Sequence, residues 1–255
     1  MRSYQVRSRG QGATFAGVWL VLVVPFFQLG ALLPRGYGDA AAAAARASNS
    51  APLVSWANHN IVMVIIFSLI EIIPLVFVLR MPALLRGVIF AEPEQGRVGQ
   101  WCGIAGLTII SLVTLVNLVL LTAAASQYTA ANATALGSSF RFTSIAESMI
   151  ANIGGGVLLA IWLVSANAPL VRIGGLERIV GILGIISAAL FAGVAGLILF
   201  NPQQSQGAIA GTSMALFGAW LFIMGLLLIR RAPALGEEID APATEEPTGA
   251  VAADA

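Results

Sequence analysis

The 255-residue sequence contains no lysine, and it has a single histidine, His59, and a single cysteine, Cys102. Without lysine, no side-chain amine is available to form a Schiff base with a carbonyl ligand. One histidine excludes a two-histidine metal site and a haem held by two histidines of the same chain. One cysteine excludes an intramolecular disulfide. We therefore expect neither a bound cofactor nor an enzymatic activity.

Charged residues are also scarce. They make up 10% of the chain, and hydrophobic residues make up 58%, whereas a typical soluble domain has roughly 25% charged residues. Such a composition cannot cover the surface of a water-soluble fold. The net charge is +1 and the arginines are scattered, so no basic patch for nucleic acid is predicted. The expected surroundings are those of a lipid bilayer.

The apolar residues are concentrated in six runs of about twenty residues. An α-helix rises about 1.5 Å per residue, so a run of this length crosses a hydrocarbon core roughly 30 Å thick. The sequence therefore predicts an all-α fold, a polytopic transmembrane helical bundle with six spans. The predicted spans are residues 14–33, 61–79, 101–124, 142–164, 179–200 and 208–229.

The positions of the arginines predict the orientation of the bundle, because arginine near span ends favours the cytoplasmic side. Ten of the thirteen lie in the amino-terminal tail, the second and fourth loops and the carboxyl tail; Arg35, Arg46 and Arg141 are the others. Both termini are thus predicted to be cytoplasmic. Arginine without lysine, together with abundant alanine and glycine, is typical of a GC-rich bacterial genome. We therefore predict a multi-pass protein of the bacterial inner (plasma) membrane.

The chain is expected to form one membrane domain, residues 14–231, between two tails. Residues 1–13 are predicted to be a cytoplasmic tail. Residues 232–255 are rich in proline, glutamate and aspartate and are predicted to be a disordered acidic cytoplasmic tail. The first run could instead be a signal peptide, but such cores are only about 7–15 residues long, so we favour a retained span.

A carboxylate inside the second span is the first candidate for chemistry. Glu71 lies near the middle of that run, where an ionised residue costs roughly 2.5–3.5 kcal/mol. Pro74 follows three residues later and cannot donate a hydrogen bond to the carbonyl of Ile70, so a kink is expected there. Glu71 is interpreted either as a functional group or as a neutral acid that holds neighbouring helices together.

The fourth span carries a polar stripe. Ser144, Ser148 and Asn152 recur every four residues, with Glu147 beside them, and Asn117 lies at a comparable depth in the third span. Lipid offers no hydrogen bonds, so these side chains should face other helices or a cavity. They define a candidate intramembrane polar site, which could hold a ligand or a proton path. Its predicted members are Glu71, Asn117, Glu147, Ser148 and Asn152.

Glycines recur within the spans at helical spacing. Gly154, Gly155 and Gly156 follow the polar stripe, and further pairs occur at positions 103 and 106, 181 and 184, 193 and 196, and 207 and 211. Small residues let membrane helices approach closely, although in transporters they can also mark a helix break. We favour close packing. The glycine-rich faces could pair with a second copy of the chain or with another membrane protein.

Several short segments resemble a known family. They are Thr14-Phe15-Ala16-Gly17, Ser68-Leu69-Ile70-Glu71 with Arg80, and Pro169-Leu170-Val171-Arg172 leading through Gly175-Leu176 into Gly181-Ile182-Leu183-Gly184. In these segments the chain resembles a family of uncharacterised bacterial six-span membrane proteins, the domain-of-unknown-function family numbered four-three-eight-six. The resemblance covers most of residues 14–231. It implies a six-helix membrane protein and supplies no activity.

Two functions stay open. A non-enzymatic accessory or scaffold subunit should have dry, paired carboxylates and an apolar patch for a partner. A small-molecule or proton-coupled transporter should have a cavity that reaches Glu71 or Glu147, and often two inverted halves. The halves of this sequence show no convincing symmetry, so the subunit is favoured. A membrane enzyme using His59 with Glu147 or a serine is the third alternative.

Overall fold

The computed structural model describes residues 11–23, 36–90, 96–200 and 207–237, but not the side chains at 67, 71, 74, 75, 207–211 and 234–237. Within these ranges the chain forms helices and turns and no β-strand. The elements are α1 (Gln11–Val23), α2 (Tyr37–Ala47), α3 (Ala51–His59), α4 (Ile61–Val78), α5 (Met81–Ile89), α6 (Arg97–Ser126), α7 (Ala133–Met149), a π-helical segment π1 (Ile150–Gly156), α8 (Val157–Ile173), α9 (Gly175–Phe200) and α10 (Gly207–Glu237).

Four of the described helices are long and apolar enough to cross a membrane. They are Arg97–Ser126, Ala133–Ile173, Gly175–Phe200 and Thr212–Pro233, and the second of them is α7, π1 and α8 in one continuous run. They contain the predicted third, fourth and fifth spans and most of the sixth. An all-helical protein with several membrane-length helices is therefore confirmed for the described residues.

The predicted second span begins at a bend, and the predicted first span is described only in part. The predicted second span coincides with α4. The first part of α4, Ile61–Ile70, is long and apolar enough to cross a membrane only when it is taken together with α3, and the two helices meet at an angle of 97°. The bend occurs at Asn60, whose φ of −129° and ψ of 30° are not helical. Of the predicted first span, only the part within α1 is described. Six spans therefore stay a prediction.

Close contact between α6 and the helix opposite it depends on glycine. A Cβ atom at Gly106 would lie 2.8 Å from the carbonyl oxygen of Gly155, and one at Gly103 would lie 2.6 Å from the ring of Trp162. These distances are shorter than van der Waals contact, so only glycine permits this separation. The prediction of close packing at Gly103, Gly106 and Gly155 is confirmed. The pairing also shows that α6 runs antiparallel to π1 and α8.

An aromatic cluster fills the centre of the bundle. The rings of Trp162 and Trp220 lie edge to face with their centroids 5.8 Å apart, and Phe217 stacks on Trp220 at the same distance. Phe191 of α9 completes the cluster against Phe217. Trp162, Phe217 and Trp220 are almost fully buried. Aromatic side chains of this size contribute much of the packing that holds α8, α9 and α10 together.

At one end of the bundle, the short helix α3 packs on α6 and α7. Helix α2, which contains the alanine-rich stretch at residues 40–47, packs on α3. Asn49, in the turn between them, donates hydrogen bonds to the carbonyl of Thr134 and to the hydroxyl of Ser138. Asn58 donates a 2.7 Å hydrogen bond to the carbonyl of Ala125. These bonds attach the two short helices to the end of α6 and the start of α7.

The opposite end of the bundle is rich in arginine. Helices α6, α8, α9 and α10 alternate in direction. Four helix ends therefore meet there: the first turn of α6, the end of α8, the start of α9 and the last turns of α10. Arg231 forms an ion pair of 2.6 Å with Glu177 across α9 and α10. We call this the arginine-rich end. Helix α10 continues to Glu237, past the boundary predicted at residue 231, and residues 238–255 of the predicted tail lie outside the described residues.

Candidate intramembrane polar site

The centre of the candidate site is a hydrogen bond between two membrane-length helices. The side-chain amide of Asn117 on α6 donates to Oε2 of Glu147 on α7 at 2.6 Å. Glu147 is 8% exposed, and it is the one charged residue that is buried among those the structure describes. Two polar side chains that sequence analysis placed at a similar depth are thus brought into direct contact.

The second carboxyl oxygen of Glu147 is left without a partner. Its Oε1 atom is buried and makes no hydrogen bond within the described part of the chain. A buried polar atom without a hydrogen bond is costly in an apolar interior. One carboxyl oxygen of Glu147 therefore holds α6 and α7 together through Asn117, while the other is left unpaired among the described residues.

Ser148 and Asn152 form a separate pair on one helix. The amide of Asn152 donates to the carbonyl oxygen of Ser148 at 2.9 Å and lies 3.3 Å from its hydroxyl. Asn152 lies in π1, where amide-to-carbonyl bonds skip five residues and leave some carbonyls without their usual donor. The side chain of Asn152 thus bonds back to its own helix, at the junction of α7 and π1. Segments of π-helix within α-helices are frequent at functional sites.

A small cavity of about 80 Å³ lies beside π1. Among the members of the predicted site whose side chains the structure describes, Asn152 alone lines it. Apart from Ser213 on α10, its remaining walls are apolar or glycine. The lining residues come from α6, π1, α9 and α10 and are Ile110, Ala151, Asn152, Gly156, Phe191, Val194, Ser213 and Met214.

The structure thus brings the predicted residues together in two pairs, Asn117 with Glu147 and Ser148 with Asn152. No hydrogen bond joins one pair to the other in the residues that the structure describes. The buried member of the fourth span is Glu147, whereas Ser148 and Asn152 are only half-buried. Glu71 lies on α4, and its side chain is outside the described residues.

A further buried polar pair was missed by sequence analysis. Asn167 is fully buried, its amide donates to the carbonyl of Leu163 at 2.7 Å, and its Oδ1 accepts a 2.9 Å hydrogen bond from the indole of Trp220. Gly184 packs directly on this amide, since any Cβ there would overlap the side chain of Asn167. An isolated asparagine within the apolar run of α8 was the available signal, but it belongs to no repeating polar stripe.

No protein-family model, curated protein or solved structure matches this chain. The resemblance to the six-span family, carried by segments such as Ser68-Leu69-Ile70-Glu71, therefore stays a prediction. Within the described residues, no group of three or more histidine, cysteine, aspartate or glutamate side chains gathers to hold a metal ion.

Proposed function

We propose that this protein is a non-enzymatic accessory or scaffold subunit of the bacterial inner membrane, with six spans and both termini in the cytoplasm. The observation that carries this proposal is the hydrogen bond from Asn117 to Glu147. A buried carboxyl that serves as an acceptor between two helices contributes to the bundle itself, as an interhelical bond does in many membrane proteins.

A surface for a partner helix supports the same function. Gly193 and Gly196 lie three residues apart on α9, and a Cβ atom added at either would meet no other described atom within 4 Å. The other predicted pairs whose surroundings are described, at 103 and 106 and at 181 and 184, pack inside the bundle. The face at Gly193 and Gly196 is therefore open for a second copy of the chain or for another membrane helix, which small residues allow to approach closely.

The experiment that tests this function is a measurement of particle mass after gentle extraction in detergent, by native electrophoresis or mass photometry. We expect the wild-type chain to migrate in an assembly larger than one copy. Substitution of Gly193→Leu with Gly196→Leu should shift it to a single copy. Ala105→Leu is the matched control, because Ala105 is exposed on α6. A single-copy wild-type protein, or equal loss of assembly in the control, would contradict the proposal.

A second candidate function, movement of protons or a small molecule through Glu71 and Glu147, is favoured by one observation. Oε1 of Glu147 is buried without a partner among the described residues, and the cavity beside π1 begins one helical turn further on, at Ala151. The test is Glu147→Gln and Glu71→Gln, each reconstituted in vesicles with a pH-sensitive dye inside. A transporter should lose proton flux in at least one variant. Flux that is equal in wild type, both variants and empty vesicles would exclude this function.

A further inference from the structure

Positive charge is left over at the arginine-rich end. Glu177 is paired with Arg231 at 2.6 Å and is only 15% exposed, so its carboxylate is already engaged. Arg172, Arg178 and Arg230 are exposed, and none of the three has an ion-pair partner among the residues that the structure describes. We call these three residues the arginine cluster. Four guanidinium groups against one carboxylate leave a net charge of +3 at this place.

The cluster is compact because two helices turn back on each other there. Gly174 and Gly175 have φ angles of 92° and 60°, which let α8 end and α9 begin within two residues. Arg172 precedes this turn and Arg178 follows it. Arg230, next to the ion-paired Arg231 on α10, lies close enough to add to the positive field around the carboxylate of Glu177. The positive charges of three helix ends therefore meet at one place.

Exposed apolar side chains flank Arg172 and Arg178 in the chain. Ile173 is 56% exposed next to Arg172, and Ile179 is 56% exposed next to Arg178. Leu176, between them, is 39% exposed. In a membrane-spanning helix such residues face acyl chains, whereas long arginine side chains reach outward to the headgroups. Positive charge and apolar surface are therefore placed side by side, at the level where a phospholipid changes from headgroup to chain.

We propose that the arginine cluster is a binding site for an anionic phospholipid, with the phosphate on the guanidinium groups and the acyl chains along Ile173, Leu176 and Ile179. Charge complementarity selects an anion, and basic residues at a membrane surface recognise anionic headgroups in this way. The apolar surface selects an anion that carries hydrocarbon. The acidic tail after residue 237 would satisfy the charge, but it has almost no large apolar residue to cover this surface.

The test is native mass spectrometry of the full-length protein in detergent, titrated with phosphatidylglycerol or with phosphatidylcholine of the same acyl chains. We expect selective retention of phosphatidylglycerol. The double variant Arg178→Gln with Arg230→Gln should weaken its binding about 25-fold, at about fivefold for each arginine near the surface. The matched control is Arg46→Gln with Arg141→Gln, which removes two arginines from the opposite end and should leave binding unchanged. Equal retention of the two lipids, or equal loss in both double variants, would overturn the proposal.

Two further arms separate the other occupants. Glu177→Gln frees Arg231 from its ion pair, so phosphatidylglycerol should bind more tightly. A misfolded variant would not gain affinity, so this result cannot come from misfolding. Unchanged or weaker binding would count against the site. A chain that ends at Glu237 should bind the lipid as the full chain does. If lipid selectivity emerged only in that shortened chain, the tail would be the occupant and the proposal would be wrong. The proposal would also be wrong if glycerol 3-phosphate displaced the lipid at equal concentration, because the site would then bind a free phosphate group and not a phospholipid.

Discussion

Gly106 and Gly155 face each other with their backbones in contact, and each would collide with the carbonyl oxygen of the other if it carried a side chain. This contact sets the separation between α6 and π1 at the level of the cavity. The hydrogen bond from Asn117 to Glu147 lies further along the same helix pair. The polar pair and the glycine pair therefore stabilise one interface.

Gly106→Ala should destabilise the protein by about 1–3 kcal/mol, because the new methyl group meets backbone atoms that cannot move aside easily. The midpoint of thermal unfolding in detergent measures this effect. Gly87→Ala is the control, since Gly87 is exposed on α5 and a methyl group there meets no described atom within 4 Å. Equal midpoints for Gly106→Ala and the wild type would show that the two helices are free to separate.

Glu147→Leu should lower stability by about 1–3 kcal/mol, since it leaves the half-buried amide of Asn117 without its acceptor. Glu147→Gln keeps a carbonyl oxygen at the same place and should remain near the wild-type stability. The two variants, compared by thermal unfolding, distinguish a structural hydrogen bond from a need for the acid itself. If Gln proved as damaging as Leu, the carboxyl would have a role other than accepting this bond.

Asn167 and Trp220 should show coupled energies. Trp220→Phe removes the indole donor and leaves Oδ1 of Asn167 unpaired in the core, at a cost of about 1–3 kcal/mol. A double-mutant cycle with Asn167→Leu separates this bond from the loss of packing. We expect the double variant to lose clearly less stability than the sum of the two single variants. Strict additivity would mean that the bond contributes nothing.

The orientation can be tested with single cysteines in a Cys102→Ser background. Ala131, in the turn between α6 and α7, and Leu176, at the arginine-rich end, lie at opposite ends of the bundle and are exposed. A membrane-impermeant maleimide should label Ala131→Cys in intact spheroplasts and Leu176→Cys only after the membrane is opened. The reverse pattern would place the arginine-rich end outside the cell.

Hydropathy was sufficient to place the helices from Arg97 onward, because an apolar run of membrane length has few alternatives to a helix. It was less informative before that point. Asn60 ends one helix and begins the next at a bend of 97°, a change that depends on its contacts with α3 rather than on hydrophobicity. A glycine pair such as Gly181 and Gly184 was enough to predict close contact, but not which helix would make it.

The candidate site was predicted in part for the same reason. Depth in the membrane can be counted along a sequence, so Asn117 and Glu147 could be matched by their positions within the third and fourth spans. Rotation about the helix axis is harder to predict once the helix departs from regular geometry. The π1 segment begins three residues after Glu147, and Asn152 within it lies at the cavity, whereas Glu147 contacts α6.

The π1 segment also determines which side of α8 faces the rest of the molecule. Each residue of a regular α-helix turns the chain by about 100°, so a segment wound more loosely offsets everything that follows it. With all seven residues of π1 present, Trp162 and Asn167 face the core because of this offset. Deleting one residue between Ile150 and Gly156 would remove the residue that the looser winding takes up, so the segment could close into a regular α-helix and leave the indole and the amide in the centre of the bundle.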